Sequence, residues 1–134
     1  MKKIDSIYII DDDPITVFGI QKMLESIVDC PCIDTFRNGK LAIDEIKSRI
    51  DTLKPIPKII FLDINMPIMD GWQFLTEFSS LPITQSIKIN IVTSSIDKTD
   101  RDRWKKIASN THHTITFNNK PLRRENLLKI TTAA

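Results

Sequence analysis

The chain alternates short runs of apolar residues with longer stretches in which apolar residues recur every three or four positions. The run from Ile59 to Leu62 contains no polar residue, which is typical of a strand that is buried on both faces of a sheet. Such runs predict five strands, at Ser6–Ile10, Cys32–Phe36, Lys58–Leu62, Ile87–Val92 and Thr114–Phe117. Each of these strands is followed by a helical pattern.

Five helices are predicted after these strands. Pro14 begins the first with Asp13 as its N-cap, because proline is favoured at the first helical position and a carboxylate accepts from the free N–H groups there. Asn38 caps the second helix, the fourth begins near Asp97, and a last short helix follows Pro121. The core positions at helical spacing are Val17, Ile20, Leu24 and Ile27, then Leu41, Ala42, Ile46 and Ile50, then Trp72, Leu75 and Phe78, then Trp104, Ile107 and Ala108, and finally Leu127 and Leu128.

Strict alternation of strands and helices predicts an α/β fold, in which a parallel sheet with right-handed crossovers carries helices on both faces. The length of 134 residues fits one core, so residues 1–134 are expected to form a single domain. Ligands of such sheets bind at the carboxyl ends of the strands. The residues directly after each strand are therefore the candidates for a functional site.

Composition narrows the class of protein. Hydrophobic residues make up 41% of the chain and charged residues 27%, as in a soluble globular protein. A net charge of +2 gives no general attraction to nucleic acid or to membranes, and no apolar stretch approaches the roughly 20 residues of a membrane span. Because Asp5 interrupts any leader peptide, a cytoplasmic location is expected. Cys30 and Cys32 lack the spacing of a redox or zinc pair and are expected to be buried hydrophobes.

Polar side chains stand at the ends of four predicted strands, and a parallel sheet brings these ends to one edge. Taken singly, each has an ordinary interpretation as a turn or a helix cap. Their joint occurrence at successive strand ends favours a site. They are Asp11, Asp12 and Asp13 after the first strand, Asp63 and Asn65 after the third, Thr93, Ser94 and Ser95 after the fourth, and Asn118, Asn119, Lys120 and Pro121 after the fifth.

The chemistry of this set points to phosphoryl transfer. Carboxylates at one edge raise each other's pKa unless a cation lies among them, and Mg²⁺ binds a few carboxylates together with carbonyls, water and a phosphate. Lys120 adds a fixed positive charge and Thr93 a hydroxyl, which are groups that stabilise phosphoryl oxygens. Asp63 stands alone at the end of the central strand and is the predicted nucleophile.

These residues resemble the motifs of response-regulator receiver domains of the CheY-like type, which act in two-component phosphorelay signalling. The resemblance extends from Ile4 to about Ile130, and its most specific stretch is the phosphoacceptor-like segment FLDINMPIMDG, from Phe61 to Gly71. It implies a CheY-like, flavodoxin-like (βα)5 fold, a doubly wound parallel sheet with strand order 2-1-3-4-5. It also implies a signalling domain rather than an enzyme, here a stand-alone receiver without an output domain.

The resemblance also implies how the acidic residues act. Asp63 would accept a phosphoryl group from a sensor histidine kinase or a phosphotransfer protein. Mg²⁺ would be bound directly by Asp12 and Asp63, through water by Asp11, and by the backbone carbonyl of Asn65.

The remaining site residues would stabilise the phosphoryl group and transmit its presence. Thr93, Ser94 and Lys120 would contact the group, and Pro121 is a candidate for a cis peptide or a turn. In the family, an aromatic residue on the fifth strand then swings inward and remodels the face of helix four, strand five and helix five. Phe117 occupies that position, where tyrosine is commonest in the family. Because phenylalanine has no hydroxyl group, Phe117 would either switch through packing alone or remain buried in the core.

Two further features bear on partners and on the site. His112 and His113 precede the fifth strand and lack acidic or cysteine partners nearby, so they are expected to be exposed loop imidazoles. Ser95 stands at a position where the residue varies within the family and affects how long the phosphoryl group survives. Basic residues of the last two helices form either a solvated face or an output face, which would favour an acidic protein over DNA because no DNA-reading element is present. They are Arg101, Arg103, Lys105, Lys106, Arg123, Arg124 and Lys129.

Three other functions fit these residues less well. A phosphohydrolase of the haloacid-dehalogenase type needs a second aspartate two residues after the nucleophile, where Asn65 cannot act as an acid. A pseudo-receiver that binds partners without phosphorylation usually lacks the acceptor, the acidic pair or the lysine, and all three are present. A flavodoxin-like cofactor binder needs a phosphate loop after the first strand, where Asp11 to Asp13 would repel a phosphate.

Overall fold

A computed structural model describes residues 1–133 and contains one five-stranded parallel sheet. The strands are β1 (Ser6–Ile10), β2 (Cys32–Phe36), β3 (Ile59–Leu62), β4 (Lys88–Thr93) and β5 (Thr114–Asn119). Their order in the sheet is β2-β1-β3-β4-β5, which confirms the predicted order and fold class.

Five helices connect and follow the strands, and short polar side chains begin four of them. Asp13, Asn38 and Asp97 each accept a hydrogen bond from a backbone N–H in the first turn, while Asp70 and Gln73 form a capping box. No helix within residues 1–133 is long and apolar enough to cross a membrane. The helices are α1 (Pro14–Ile27), α2 (Gly39–Asp51), α3 (Gly71–Ser79), α4 (Lys98–Ala108) and α5 (Arg124–Thr132).

The sheet separates two hydrophobic cores, as expected when consecutive strand residues point to opposite faces. On one face Tyr8, Ile60 and Ile89 pack with residues of α2 and α3. On the other face Ile9 and Phe61 pack with residues of α1 and α5. Helix α4 is the exception, because none of its residues is fully buried.

Several expectations about local structure were wrong or incomplete. Leu41 and Leu128, which helical spacing predicted for the core, are exposed at 46% and 42%. Cys30 is only partly buried and Cys32 is exposed, because Cys32 begins β2, which is an edge strand with one free side. The sequence analysis also missed a short parallel pairing of Lys2–Lys3 with Val28–Asp29, since strands of two residues carry no periodic signal.

Of the two histidines that were expected to be exposed, only His112 is exposed. His112 is exposed and its Nε2 lies 3.1 Å from the carbonyl oxygen of Gln85. His113 is buried, with 4% of its surface exposed, and its Nδ1 accepts a hydrogen bond from the N–H of Ile87 at 3.0 Å. Its ring also packs against Phe78, with 4.9 Å between the ring centres. Burial and the neighbouring His112 lower the pKa of His113 to about 4.

His113 is expected to make the protein less stable in mild acid. Its folded pKa of about 4 lies below the ordinary 6.5, so its contribution is complete above pH 6.5 and is lost as the pH falls toward 4. We expect a loss of about 1 to 2 kcal/mol over this range, measured by urea unfolding of the wild type against His113→Asn, which keeps an acceptor for Ile87. Equal pH dependence in both proteins would contradict this, and His112→Asn is the matched control that should behave as the wild type.

Candidate phosphorylation site

The register of the sheet brings two buried carboxylates side by side. Ile10 at the end of β1 lies opposite Leu62 at the end of β3, so Asp11 and Asp63 leave the sheet next to each other. Backbone hydrogen bonds hold both positions, since Asp11 N–H donates to Phe36 and Asp63 N–H donates to Ile10, each at 2.9 Å. The exposed fractions of Asp11 and Asp63 are only 4% and 6%.

Lys120 supplies the positive charge between these carboxylates. Its backbone N–H donates to the carbonyl oxygen of Thr93 at 2.8 Å, which fixes the chain where β5 ends, and its peptide bond to Pro121 is cis. Its Nζ atom lies 3.1 Å from Oδ2 of Asp11 and 3.6 Å from Oδ2 of Asp63. One ammonium group therefore faces two carboxylates.

Burial and the charges of the neighbours shift the pKa values of the three groups in this cluster. Burial raises the pKa of Asp63 to about 6, with a further contribution from Asp11 and opposing ones from Lys120 and backbone N–H groups, including that of Ile64. Burial also raises the pKa of Asp11. Burial alone would lower the pKa of Lys120, but the hydrogen bond and charge of Asp11 and the charge of Asp63 raise it.

The acidic residues have the chemistry of a site for a hard divalent cation. Asp11, Asp12 and Asp63 each offer a carboxylate oxygen, and these three atoms lie within 4.8 Å of one another. The donors are all oxygen atoms, and three carboxylates carry more negative charge than the single ammonium group of Lys120 can balance. Exposed Asp12 leaves one side of the cluster open to solvent, and Asn65 is exposed two residues after Asp63.

The loop after β4 connects Thr93 to the start of α4. Thr93 is fully buried, and its Oγ1 accepts a hydrogen bond from the N–H of Ser95 at 3.1 Å, while Ser94 is exposed. The hydroxyl of Ser95 donates to Asp100 in the first turn of α4 at 2.6 Å. The Asn119 side chain donates to the carbonyl of Ser95 at 2.8 Å, which ties this loop to the end of β5. A displacement of Thr93 would therefore reach α4 through Ser95.

Phe117 on β5 is partly buried, and its side chain faces α4. The guanidinium of Arg101 lies 5.3 Å from the centre of its ring, and the ring of Trp104 lies 5.7 Å away. The indole N–H of Trp104 donates to the carbonyl oxygen of Ile115 at 2.8 Å, which anchors α4 to the strand. Phe117 therefore has packing partners on α4 that would respond to a change in its position.

The sequence analysis missed two backbone features of the loop from Asp63 to Gly71. A Cβ atom added to Gly71 would lie 2.4 Å from the carbonyl oxygen of Asp63, so α3 begins in contact with the acceptor segment. Ile68 has a positive φ of 70°, and Met69 N–H donates to the Pro67 carbonyl at 2.7 Å, which forms a tight three-residue turn. Both residues belong to the predicted phosphoacceptor-like segment. The close approach of Gly71 to Asp63 and the left-handed backbone of Ile68 arise only in the folded chain.

Three of the basic residues on the last two helices have different neighbours. Arg101 faces Phe117, whereas Arg103 lies over the ring of Trp72 on α3, 5.2 Å from its centre. Arg124 donates to the hydroxyl of Ser26 on α1 at 2.7 Å. These three side chains therefore contact different parts of the molecule.

Comparison with known proteins identifies the family. A sequence model of the response regulator receiver domain matches residues 7–132. The chain therefore belongs to the response-regulator receiver family of two-component signalling, as the resemblance of the motifs predicted.

The similar proteins include whole regulators and parts of larger ones. The chain is 38% identical over 90 residues to a protein-glutamate methylesterase/protein-glutamine glutaminase of Methanococcoides burtonii, covering 67% of the chain and 23% of that protein. It is 25% identical over 121 residues to the probable methanogenesis regulatory protein FilR2 of Methanothrix harundinacea, covering 90% of the chain and 75% of that protein. The crystal structure of a two component response regulator from Cytophaga hutchinsonii superposes with a TM-score of 0.82 at 25% identity, covering 98% and 97% of the two chains.

The chain spans only about a quarter of the length of the methylesterase relatives that it matches. The similarity to them therefore concerns the receiver domain that the family model matches in this chain.

Proposed function

We propose that this chain is a phosphorylation-dependent switch in which Asp63 accepts a phosphoryl group with the help of Mg²⁺. The donor is a sensor histidine kinase or a phosphotransfer protein, as is general for receiver domains. The observation that carries the proposal is the buried carboxylate of Asp63 with Lys120 at 3.6 Å and two further carboxylates beside it.

The proposed transfer needs no proton movement at the acceptor. The bond between phosphorus and the donor atom breaks while a bond forms between phosphorus and a carboxylate oxygen of Asp63. A pKa of about 6 leaves Asp63 mostly ionised at pH 7, and the Ile64 N–H holds its Oδ1 atom at 2.8 Å. Bound Mg²⁺ supplies positive charge that offsets the phosphoryl oxygens. Asp11, Asp12 and Asp63 would hold it, with the Asn65 carbonyl, while Lys120 pairs with a phosphoryl oxygen.

The proposed switch runs from Thr93 to helix α4. Thr93 accepts from Ser95 and keeps its own O–H free to donate to a phosphoryl oxygen, with exposed Ser94 next to it. Phosphorylation adds nearly two negative charges, which attract this hydroxyl. Inward movement of Phe117 would then separate its ring from Arg101, so that the face of α4, β5 and α5 changes shape. We propose that a separate downstream protein reads this face.

Intact-mass measurement after incubation with acetyl phosphate tests the proposal. One added phosphoryl group per chain is expected with Mg²⁺ and none with EDTA, because the acidic cluster cannot accept a phosphate without a cation. Beryllofluoride, a stable mimic of the phosphoryl group, covers the case of a short-lived adduct. Absence of both the adduct and beryllofluoride binding would contradict the proposed function and favour a binding module that works without phosphorylation.

Magnesium is expected to stabilise the fold through the same carboxylates. At a concentration ten times its dissociation constant, a ligand that binds only the folded state adds about 1.4 kcal/mol to the free energy of unfolding. We expect thermal unfolding to shift upward with Mg²⁺ in the wild type and to stay nearly unchanged in Asp12→Asn, whose exposed side chain is not part of the core. Asp5→Asn removes the same charge from an exposed position before β1, and it should respond to Mg²⁺ as the wild type does. An equal response in Asp12→Asn would remove Asp12 from the metal site.

A further inference from the structure

An open groove runs between α3 and α4 on the side of α4 that faces away from Phe117. Its upper part encloses about 610 Å³ and is lined by Met69 and Trp72 on one side and by Arg103, Lys106 and Ile107 on the other. A second cavity of about 270 Å³ continues it past Lys106 and Ile107 toward the end of α4. The groove exists because no residue of α4 is fully buried, so this helix leaves the flank of α3 uncovered.

The mouth of the groove carries an apolar side chain in an unfavourable backbone conformation. Ile68 is 80% exposed and has a φ of 70°, which a β-branched residue adopts only at a cost of about 1 to 2 kcal/mol. Glycine or asparagine would relieve this strain, and a polar side chain would suit the exposure. Ile68 is therefore an apolar side chain at the mouth of the groove that contact with another apolar surface would bury.

The charges of the groove indicate what fills it. Arg103 and Lys106 are exposed on the α4 side, and neither forms an ion pair within residues 1–133. On the α3 side, Oε2 of Glu77 is buried and has no hydrogen-bond partner among the described residues. An occupant with carboxylates on one flank and a donor group on the other would match both sides.

The composition of the groove favours a helix as the occupant. Its apolar floor lies between two charged walls, which is the arrangement that takes up an amphipathic helix with apolar residues at three- and four-residue spacing. We propose that the α3–α4 groove is a docking site for an amphipathic helix of a partner protein. Its apolar side would contact Ile68, Met69 and Ile107, and its carboxylates would pair with Arg103 and Lys106. This surface lies beside the phosphoacceptor loop and is separate from the proposed switching face.

Selection from a display library of short amphipathic helices with randomised flanking positions tests this proposal. The folded chain should enrich helices that are acidic on one flank, and their affinity should fall about tenfold or more in the double variant Arg103→Glu/Lys106→Glu. The matched control is Arg101→Glu/Lys105→Glu, which changes the net charge equally on the same helix but outside the groove. Enrichment without acidic flanks, or equal losses in the two double variants, would overturn the proposal.

A second variant tests the apolar contact without touching the core. Ile68→Ser removes an exposed side chain, so the protein should fold normally and bind the selected helices about tenfold more weakly. Unchanged affinity would place the helices elsewhere. Phosphorylation by acetyl phosphate is measured on the same variants, so a failed docking site is distinguishable from a failed phosphorylation site.

Discussion

Asp63→Asn is expected to abolish phosphorylation and at the same time to stabilise the metal-free protein. An amide cannot form the acyl phosphate, so no adduct should appear with acetyl phosphate and Mg²⁺. The stabilisation follows from the pKa of about 6 at Asp63, because a buried carboxylate beside Asp11 costs free energy when it ionises. Asparagine keeps an oxygen for the Ile64 N–H, and Lys120 keeps Asp11 at 3.1 Å. We expect a gain of about 1 to 2 kcal/mol at pH 7.5.

The pH dependence separates this explanation from a simple gain in packing. The folded pKa of Asp63 lies above its ordinary value of 3.8, so the wild type gains stability as the pH falls through 6 toward 4. The difference between the two proteins should therefore be largest above pH 7 and vanish near pH 4. His113 is present in both proteins, so its own titration cancels in the comparison. Urea unfolding in EDTA measures the difference, and a constant difference across this range would contradict the electrostatic explanation.

The sequence predicted the fold and the edge of the sheet at which the acidic residues meet, because both follow from local patterns. Apolar runs such as Ile59 to Leu62 identify buried strands without any knowledge of their neighbours, and a parallel sheet then brings Asp11 and Asp63 together. The distances were not predictable, since they depend on the register of β1 against β3 and on the turn that orients Lys120. The roles of Thr93, Ser94 and Phe117 still stand as predictions that phosphorylation experiments decide.

What the sequence did not predict depends on tertiary contacts. His113 is polar and follows another histidine, yet packing against Phe78 and the free N–H of Ile87 bury it. Cys32 is apolar enough for a core but begins an edge strand. The apolar spacing of α4 predicted a buried side for Trp104 and Ile107, and the structure leaves both half-buried beside an open groove. The sequence pattern indicates only whether a residue of a given type is usually buried or exposed. At these positions the burial depends on which neighbours pack against the residue.

Gly71→Ala is expected to disrupt both stability and phosphorylation, although it adds only a methyl group. The new Cβ would lie 2.4 Å from the carbonyl oxygen of Asp63 and 2.9 Å from Cα of Ile64, so the backbone of α3 or of the acceptor loop must move. Backbone atoms cannot rotate away as a flexible side chain would, so we expect a loss of about 3 kcal/mol or more in the free energy of unfolding. The rate of phosphorylation by acetyl phosphate should fall as well, because displacement of Asp63 by even about 1 Å costs a large factor in rate.

The same substitution at Gly19 is the matched control and should have the opposite sign. Gly19 lies within α1, and a Cβ there meets no atom within 4 Å, so alanine should stabilise the helix by about 0.5 to 1 kcal/mol. Urea unfolding and the phosphorylation rate of the two variants check both expectations. If Gly71→Ala unfolds and reacts like the wild type, the start of α3 can shift without moving Asp63. The close contact of Gly71 with Asp63 then does not hold the acceptor in place. If Gly71→Ala is unstable but Mg²⁺ restores its rate, the contact serves stability alone, because the metal then positions Asp63 without it.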